Sequence, residues 1–272
     1  MEGTQSVAGA AQQRHDGWLH GRVALVTGAA GDLGTAIAAA LAGHGAIVLC
    51  ADIRDSTQVA AALPGGRGFA LTLDVTDSGA VEHAIAQAGA DHGRLDILVN
   101  NAGLAQLPAP LTETPDEVVD DVLEVNVKGV LYCARAAARL MIAQGSGRIV
   151  NIASQAGKSG VANWVVYSAS KAAVVAATQA QALELAAHGI TVNAICPGPM
   201  LTEMTREAVR REARSTGADP DELLAAQTRA VPVGRMGSAA ELGEMVAWIA
   251  SERSSFTTGA SFNLTGGMSV FF

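Results

Sequence analysis

A chain of 272 residues, 49% hydrophobic and 16% charged, carries enough apolar material for a sizeable core and too little charge for a disordered chain. A formal net charge of −8 excludes the basic face that nucleic-acid binding demands, and charges or glycines interrupt every apolar run before the roughly twenty residues of a membrane span. The three cysteines, Cys50, Cys133 and Cys196, lie far apart with no zinc-ligand spacing and no disulfide framework, so no metal is expected and they read as buried reduced thiols.

The first segment, MEGTQSVAGAAQQRHDGW, has neither a basic start nor an apolar centre of signal-peptide type, so a cytoplasmic protein is expected, with residues 1–20 as a flexible extension. From residue 21 a single domain is expected to run to 272. RVALVTG is short, β-branched and stopped by glycine, and leads into an Ala-rich helix over 33–43. AIVLCAD and GFALTLDV repeat that grammar, and a helix over 77–91 follows. LDILVNN precedes a long helical stretch over 115–143, and GRIVNIAS precedes another over 163–187. GITVNAICPG then opens a polar excursion over 199–234, with STGADPDE at its middle, expected as a helical lid. Arg206, Arg210, Arg211 and Arg214 cluster there, but Glu207 and Glu212 interleave them, as on a solvated helix. A helix over 239–251 and the strand GASFNLTGG finish the chain. Near-continuous apolar strands alternating with helices predict an α/β fold: one doubly wound, Rossmann-type parallel sheet of about seven strands with helices on both faces. Ligands of such a sheet bind beyond the carboxyl ends of its strands.

The chemistry-bearing residues fall at those ends. TGAAGDLG, Thr27 to Gly34, joins the first strand to its helix, with Gly28, Asp32, Leu33 and Gly34 on the turn. Glycines there let backbone approach a pyrophosphate, and the helix N-terminus offers free N–H groups and a positive dipole end. Asp52, at the end of the second strand, can accept from adenosine ribose hydroxyls and would repel a 2′-phosphate, which favours NAD over NADP; Arg54 nearby could accommodate a phosphate. In YSASK, Tyr167 and Lys171 stand one helical turn apart, and an ammonium close to a phenol stabilises phenolate for acid/base work. Ser154 ends the preceding strand, where its hydroxyl either caps the strand or faces the same crevice.

These segments, with NNAG at Asn100 to Gly103, Asn126, and PGPMLT at Pro197 to Thr202, closely resemble the short-chain dehydrogenase/reductase family over residues 21 to about 268. The resemblance implies an NAD-dependent oxidoreductase interconverting a secondary alcohol and a ketone. Tyr167 would then be the acid/base, Lys171 would tune it and hold the nicotinamide ribose, Ser154 would orient the substrate oxygen, and Asn126 would support a water-linked proton relay. Asp74, with Val75, would contact adenine. Asn101, Ala102 and Gly103 would line the cofactor cleft, and Thr202 would fix the carboxamide beyond the turn at Pro197 and Gly198. Trp164, Met200 and Met204, with Leu104 and Val161, fall where the family builds its substrate wall, and imply an apolar or cyclic small-molecule substrate. The alternatives are a 3-oxoacyl thioester reductase, for which Arg135 and Arg139 could steer an acidic carrier, and a catalytically silent nucleotide-sensing module. Family members usually form homotetramers through the helices that here span 115–143 and 163–187, and Phe271 and Phe272 would add an apolar patch. One residue departs from the family pattern: Asp32 stands where glycine is usual, and is expected to cap the helix beginning beside it.

Overall fold

The computed structural model describes residues 17–268; residues 1–16 of the expected extension, and Phe271 and Phe272, lie outside the described residues. Seven strands, β1 (Val23–Thr27), β2 (Ile47–Asp52), β3 (Gly68–Thr72), β4 (Ile97–Asn100), β5 (Gly147–Ile152), β6 (Ile190–Pro197) and β7 (Ser261–Leu264), form one parallel sheet in the order β3-β2-β1-β4-β5-β6-β7. Between them run α1 (Asp32–Gly43), α2 (Thr57–Ala62), α3 (Ser78–His92), α4 (Asp116–Leu123), α5 (Val130–Gln144), α6 (Val165–Leu185), α7 (Glu203–Thr216), α8 (Pro220–Arg229) and α9 (Ala239–Ile249).

The strands alternate their side chains between two apolar layers, as a period of two requires. Ala24, Val26, Val48, Cys50, Ile97 and Val99 pack against α1 and α9; Val23, Leu25, Leu49, Leu98 and Ile149 pack against α3, α5 and the end of α6. Strand order reverses between β1 and β4, which opens the crevice at their carboxyl ends.

Three local features differ from the expected elements. Residues 17–20 are anchored: Leu19 is 1% exposed in the core, and Trp18 stacks on His44 with the Arg253 guanidinium over its ring. The helix expected over 115–143 is interrupted, because one turn between α4 and α5, Glu124–Gly129, is wound as a π-helix. The helix expected from 163 begins at Val165, since Asn163 has φ +66° and reverses the chain just before it.

The polar excursion consists of α7 and α8. Its two roots are stitched together where Leu201 N–H donates to the Gly237 carbonyl and Gly237 N–H to the Pro199 carbonyl. On α7, Glu207 accepts from Arg211, Arg210 and Arg214, which draws its carboxyl down to about 2. Those arginines are therefore engaged along their own helix and form no basic patch.

Candidate active site

The dinucleotide side of the crevice is built by β1, β2 and β4. Gly28 has φ +65°, and a Cβ there would lie 2.8 Å from the Ala102 backbone; one on Gly34 would lie 2.1 Å from the Gly28 carbonyl. Bare backbone thus lines the turn, the surface a pyrophosphate needs, and Leu33 and Gly34 lie in the first turn of α1 behind it. Thr27 Oγ1 accepts from the N–H groups of Asn101 and Ala102, while Asn101 Nδ2 donates to the carbonyls of Thr27 and Gly28. The NNAG segment is thereby locked to the glycine turn.

Asp52 is buried at the end of β2. One carboxylate oxygen accepts from Ala30 N–H and the other from Arg54 N–H, each at 2.9 Å, and the Arg54 guanidinium adds a contact at 3.3 Å. Burial alone would raise its pKa, but the bonds from Arg54 and Ala30 together carry it below the ordinary carboxylate range. Asp74 takes Thr76 N–H and hydroxyl on one oxygen, forming a turn at the end of β3, with Val75 buried beside it.

Asp32 is not the helix cap that its neighbourhood suggests. The cap position of α1 belongs to Gly31, and Asp32 is the first helical residue. Its carboxylate turns across the crevice instead and accepts Glu203 N–H at 2.5 Å.

The catalytic candidates converge on the β4, β5 and α6 side. Ser154 follows β5, accepts Ala156 N–H and hydrogen-bonds the Tyr167 phenol, so the strand-end cap and the crevice role coexist. Lys171 is buried and donates from Nζ to the Ile152 carbonyl at 2.9 Å, with the Tyr167 ring centroid 5.8 Å away. Gly103 brings the rest together: a Cβ there would meet Asn126 Oδ1 at 3.2 Å and Lys171 Nζ at 3.3 Å. Asn126, in the π-wound turn, accepts Leu104 N–H and donates to the Leu104 carbonyl and to Ser170 Oγ. Burial pushes the Tyr167 phenol above its ordinary value, and the Ser154 hydrogen bond offsets part of that. Burial brings Lys171 itself down to about 8, and one of its N–H groups is engaged by the Ile152 carbonyl.

Beyond Tyr167 the expected substrate wall divides. Trp164 meets the Tyr167 ring edge-on at 5.7 Å, and Leu104 and Val161 are exposed nearby in sequence to the site. Met200 is 5% exposed and packs in the apolar core, against Gly237. Met204 is 62% exposed on α7, and Thr202 caps that helix by accepting Thr205 N–H. The Pro197-Gly198 turn is held where Gly198 N–H donates to the Leu264 carbonyl.

Several contributors escape a reading of the sequence. Gln106 Oε1 accepts Tyr167 N–H at the start of α6, and no local pattern marks it. Ser170 could have been found, since it lies inside YSASK three residues beyond Tyr167, whose carbonyl it bonds. A buried chain runs from Asn100 through Asn151 to Thr178, tying β4 to β5 and α6 beneath the site. Gln155, next to Ser154, has a buried side-chain oxygen with no hydrogen-bond partner.

Known proteins align with this chain almost end to end. The family described as short chain dehydrogenase matches residues 22–213. The galactitol 2-dehydrogenase of Agrobacterium fabrum is 38% identical over 251 residues, covering 92% of this chain and 98% of the relative. The sorbitol dehydrogenase of Cereibacter sphaeroides is 40% identical with the same coverage. Among solved structures, NAD+-bound xylitol dehydrogenase superposes with a TM-score of 0.86 at 35% identity, covering 92% of this chain and 99% of that one.

Proposed function

Because the chain belongs to the short-chain dehydrogenase family, we propose that it is an NAD-linked polyol dehydrogenase that takes a secondary hydroxyl to a ketone. The observation that carries this is the convergence of Ser154, Tyr167 and Lys171, with Asn126 behind them, at the mouth of a glycine-lined crevice. When bound, the nicotinamide accepts the hydride; the protein's part is to manage the proton. Ser154 holds the substrate oxygen, Tyr167 as the phenolate takes the hydroxyl proton and becomes the phenol, and Lys171 would hold the ribose and supplies the positive charge that favours the phenolate. Asn126 keeps the Leu104 backbone in place at the crevice wall.

NAD rather than NADP is favoured by Asp52, whose ionised carboxylate sits where a ribose 2′-phosphate would approach. The polyol class is supported by the names of three similar proteins and by the unpartnered Gln155 oxygen beside Ser154, which a second substrate hydroxyl would satisfy. It replaces the apolar or cyclic substrate expected from the side chains alone. Support for a thioester reductase weakens, since Arg135 and Arg139 both pair with Glu82 on the α3 and α5 surface. The same proposal includes a homotetramer, supported by the exposed Leu123, Leu131 and Leu183 on α4, α5 and α6, and residence in the cytoplasm, where three buried free thiols stay reduced.

The test is a matrix of NAD and NADP against xylitol, sorbitol, galactitol, cyclohexanol and a 3-hydroxyacyl thioester, read by nicotinamide absorbance. Highest efficiency with NAD and a polyol is the expected result. Preference for NADP, or for the thioester, would overturn the corresponding half.

A further inference from the structure

Asp32 does something that neither its position in the glycine turn nor the hydride chemistry requires. It is the first residue of α1, yet its carboxylate reaches a partner 171 residues away, the N–H of Glu203, the first residue of α7. At that helix start Thr202 already satisfies the N–H of Thr205. The first turn of a helix leaves four N–H groups without intrahelical partners, so α7 fills one from its own cap and one from across the crevice. The side chain of Glu203 is turned along α7 to Arg210, leaving its amide free for Asp32.

The placement concentrates charge. One carboxylate lies at the N-terminal ends of two helices at once, α1 through its own backbone and α7 through the hydrogen bond, and a negative group is favourable at each. The excursion bearing α7 is fixed elsewhere by Val209 and Ala213, buried on α7, and by Val231 beyond α8, whereas α8 itself buries no residue. The contact therefore spans the gap between the turn that would cradle the phosphates and the segment that would close over them.

We propose that Asp32 is a positioning residue that latches α7 to the glycine turn before a dinucleotide arrives and thereby slows dinucleotide release. This rests on the dinucleotide reading of the crevice. The latch itself does not depend on a ligand, so its presence is tested on the cofactor-free protein.

Two variants separate the hydrogen bond from the charge. Asp32→Asn keeps an oxygen that can accept Glu203 N–H and removes the charge; Asp32→Ala removes both. Hydrogen exchange at the Glu203 amide in cofactor-free protein should be about three- to tenfold faster in Asp32→Ala than in Asp32→Asn, the range expected for one net hydrogen bond, and faster again relative to the wild type, which keeps the charge. Release of NADH, followed by displacement in a stopped-flow instrument, should be faster in Asp32→Ala than in Asp32→Asn by a similar factor. Unchanged Glu203 exchange in Asp32→Ala would overturn the latch. Equal NADH release from the two variants would overturn its control of cofactor exchange. If NADH fails to bind the wild type, the dinucleotide reading falls while the exchange result still decides whether α7 is latched.

Discussion

Tyr167 carries the only phenol in the crevice among the described residues, and its surroundings work against its ionisation until charge is added. Tyr167→Phe keeps the ring against Trp164 and removes the proton acceptor, so turnover should fall by about two to four orders of magnitude while NAD binding, measured by fluorescence titration, survives. Lys171 makes a separate prediction about stability. Its folded-state pKa, about 8, lies below the ordinary lysine value of 10.5, so between those limits the unfolded chain binds the extra proton and stability gained from this group rises with pH. Lys171→Met should therefore flatten the rise of unfolding free energy between about pH 8 and pH 10, measured by urea titration of the cofactor-free protein. Gln155→Met keeps side-chain length and removes the orphaned oxygen. Efficiency on a polyol should drop by about tenfold, the cost of losing a buried hydrogen bond, while efficiency on 2-butanol, which lacks a second hydroxyl, stays level. Of these residues Tyr167 and Lys171 are legible from spacing, because a helix places i and i+4 together. Gln155 is not, because an unsatisfied acceptor is a property of its three-dimensional neighbours.

The turn at Glu124–Gly129 explains why one long helix was expected and two were found. Hydrophobic periodicity continues smoothly through 115–143, and nothing in it records the single inserted residue that a π turn accommodates. What fixes the turn is Asn126, fully buried, which satisfies both backbone groups of Leu104 and the hydroxyl of Ser170. Asn126→Ala leaves the half-buried Leu104 backbone groups without their partner, while Ser170 keeps its bond to the Tyr167 carbonyl, and should lower stability by about 1–3 kcal/mol in a denaturant titration and weaken turnover as the Leu104 backbone loosens. Strand ends were easier to anticipate. Asp52 and Asn100 close their strands because a polar residue terminating an apolar run is visible in one dimension. The hand-off of Asp32 to Glu203 was invisible, since local rules offer an acidic residue at a helix start a nearer use than a partner on the far side of a crevice.

At the scale of the molecule, an alternation of apolar strands and helices was enough to anticipate a parallel seven-stranded sheet, because buried strands and right-handed crossovers leave few topologies. Assembly is a different matter, and Leu123, Leu131, Leu183 and the fully exposed Phe256 are the surface that association would cover. Light scattering at micromolar concentration should give four times the 27.6 kDa chain mass, and Leu183→Glu should reduce it. The paired roots at Met200 and Gly237 carry one more consequence. A segment that leaves and re-enters a scaffold at neighbouring points behaves as a cassette, and each doubling of such a loop costs only about 0.6 kcal/mol in closure entropy. A change of length at the exposed turn between α7 and α8 should therefore leave the sheet and the Ser154, Tyr167 and Lys171 cluster as they are, whereas the buried Val209, Ala213 and Val231 tie the rest of the segment to the body.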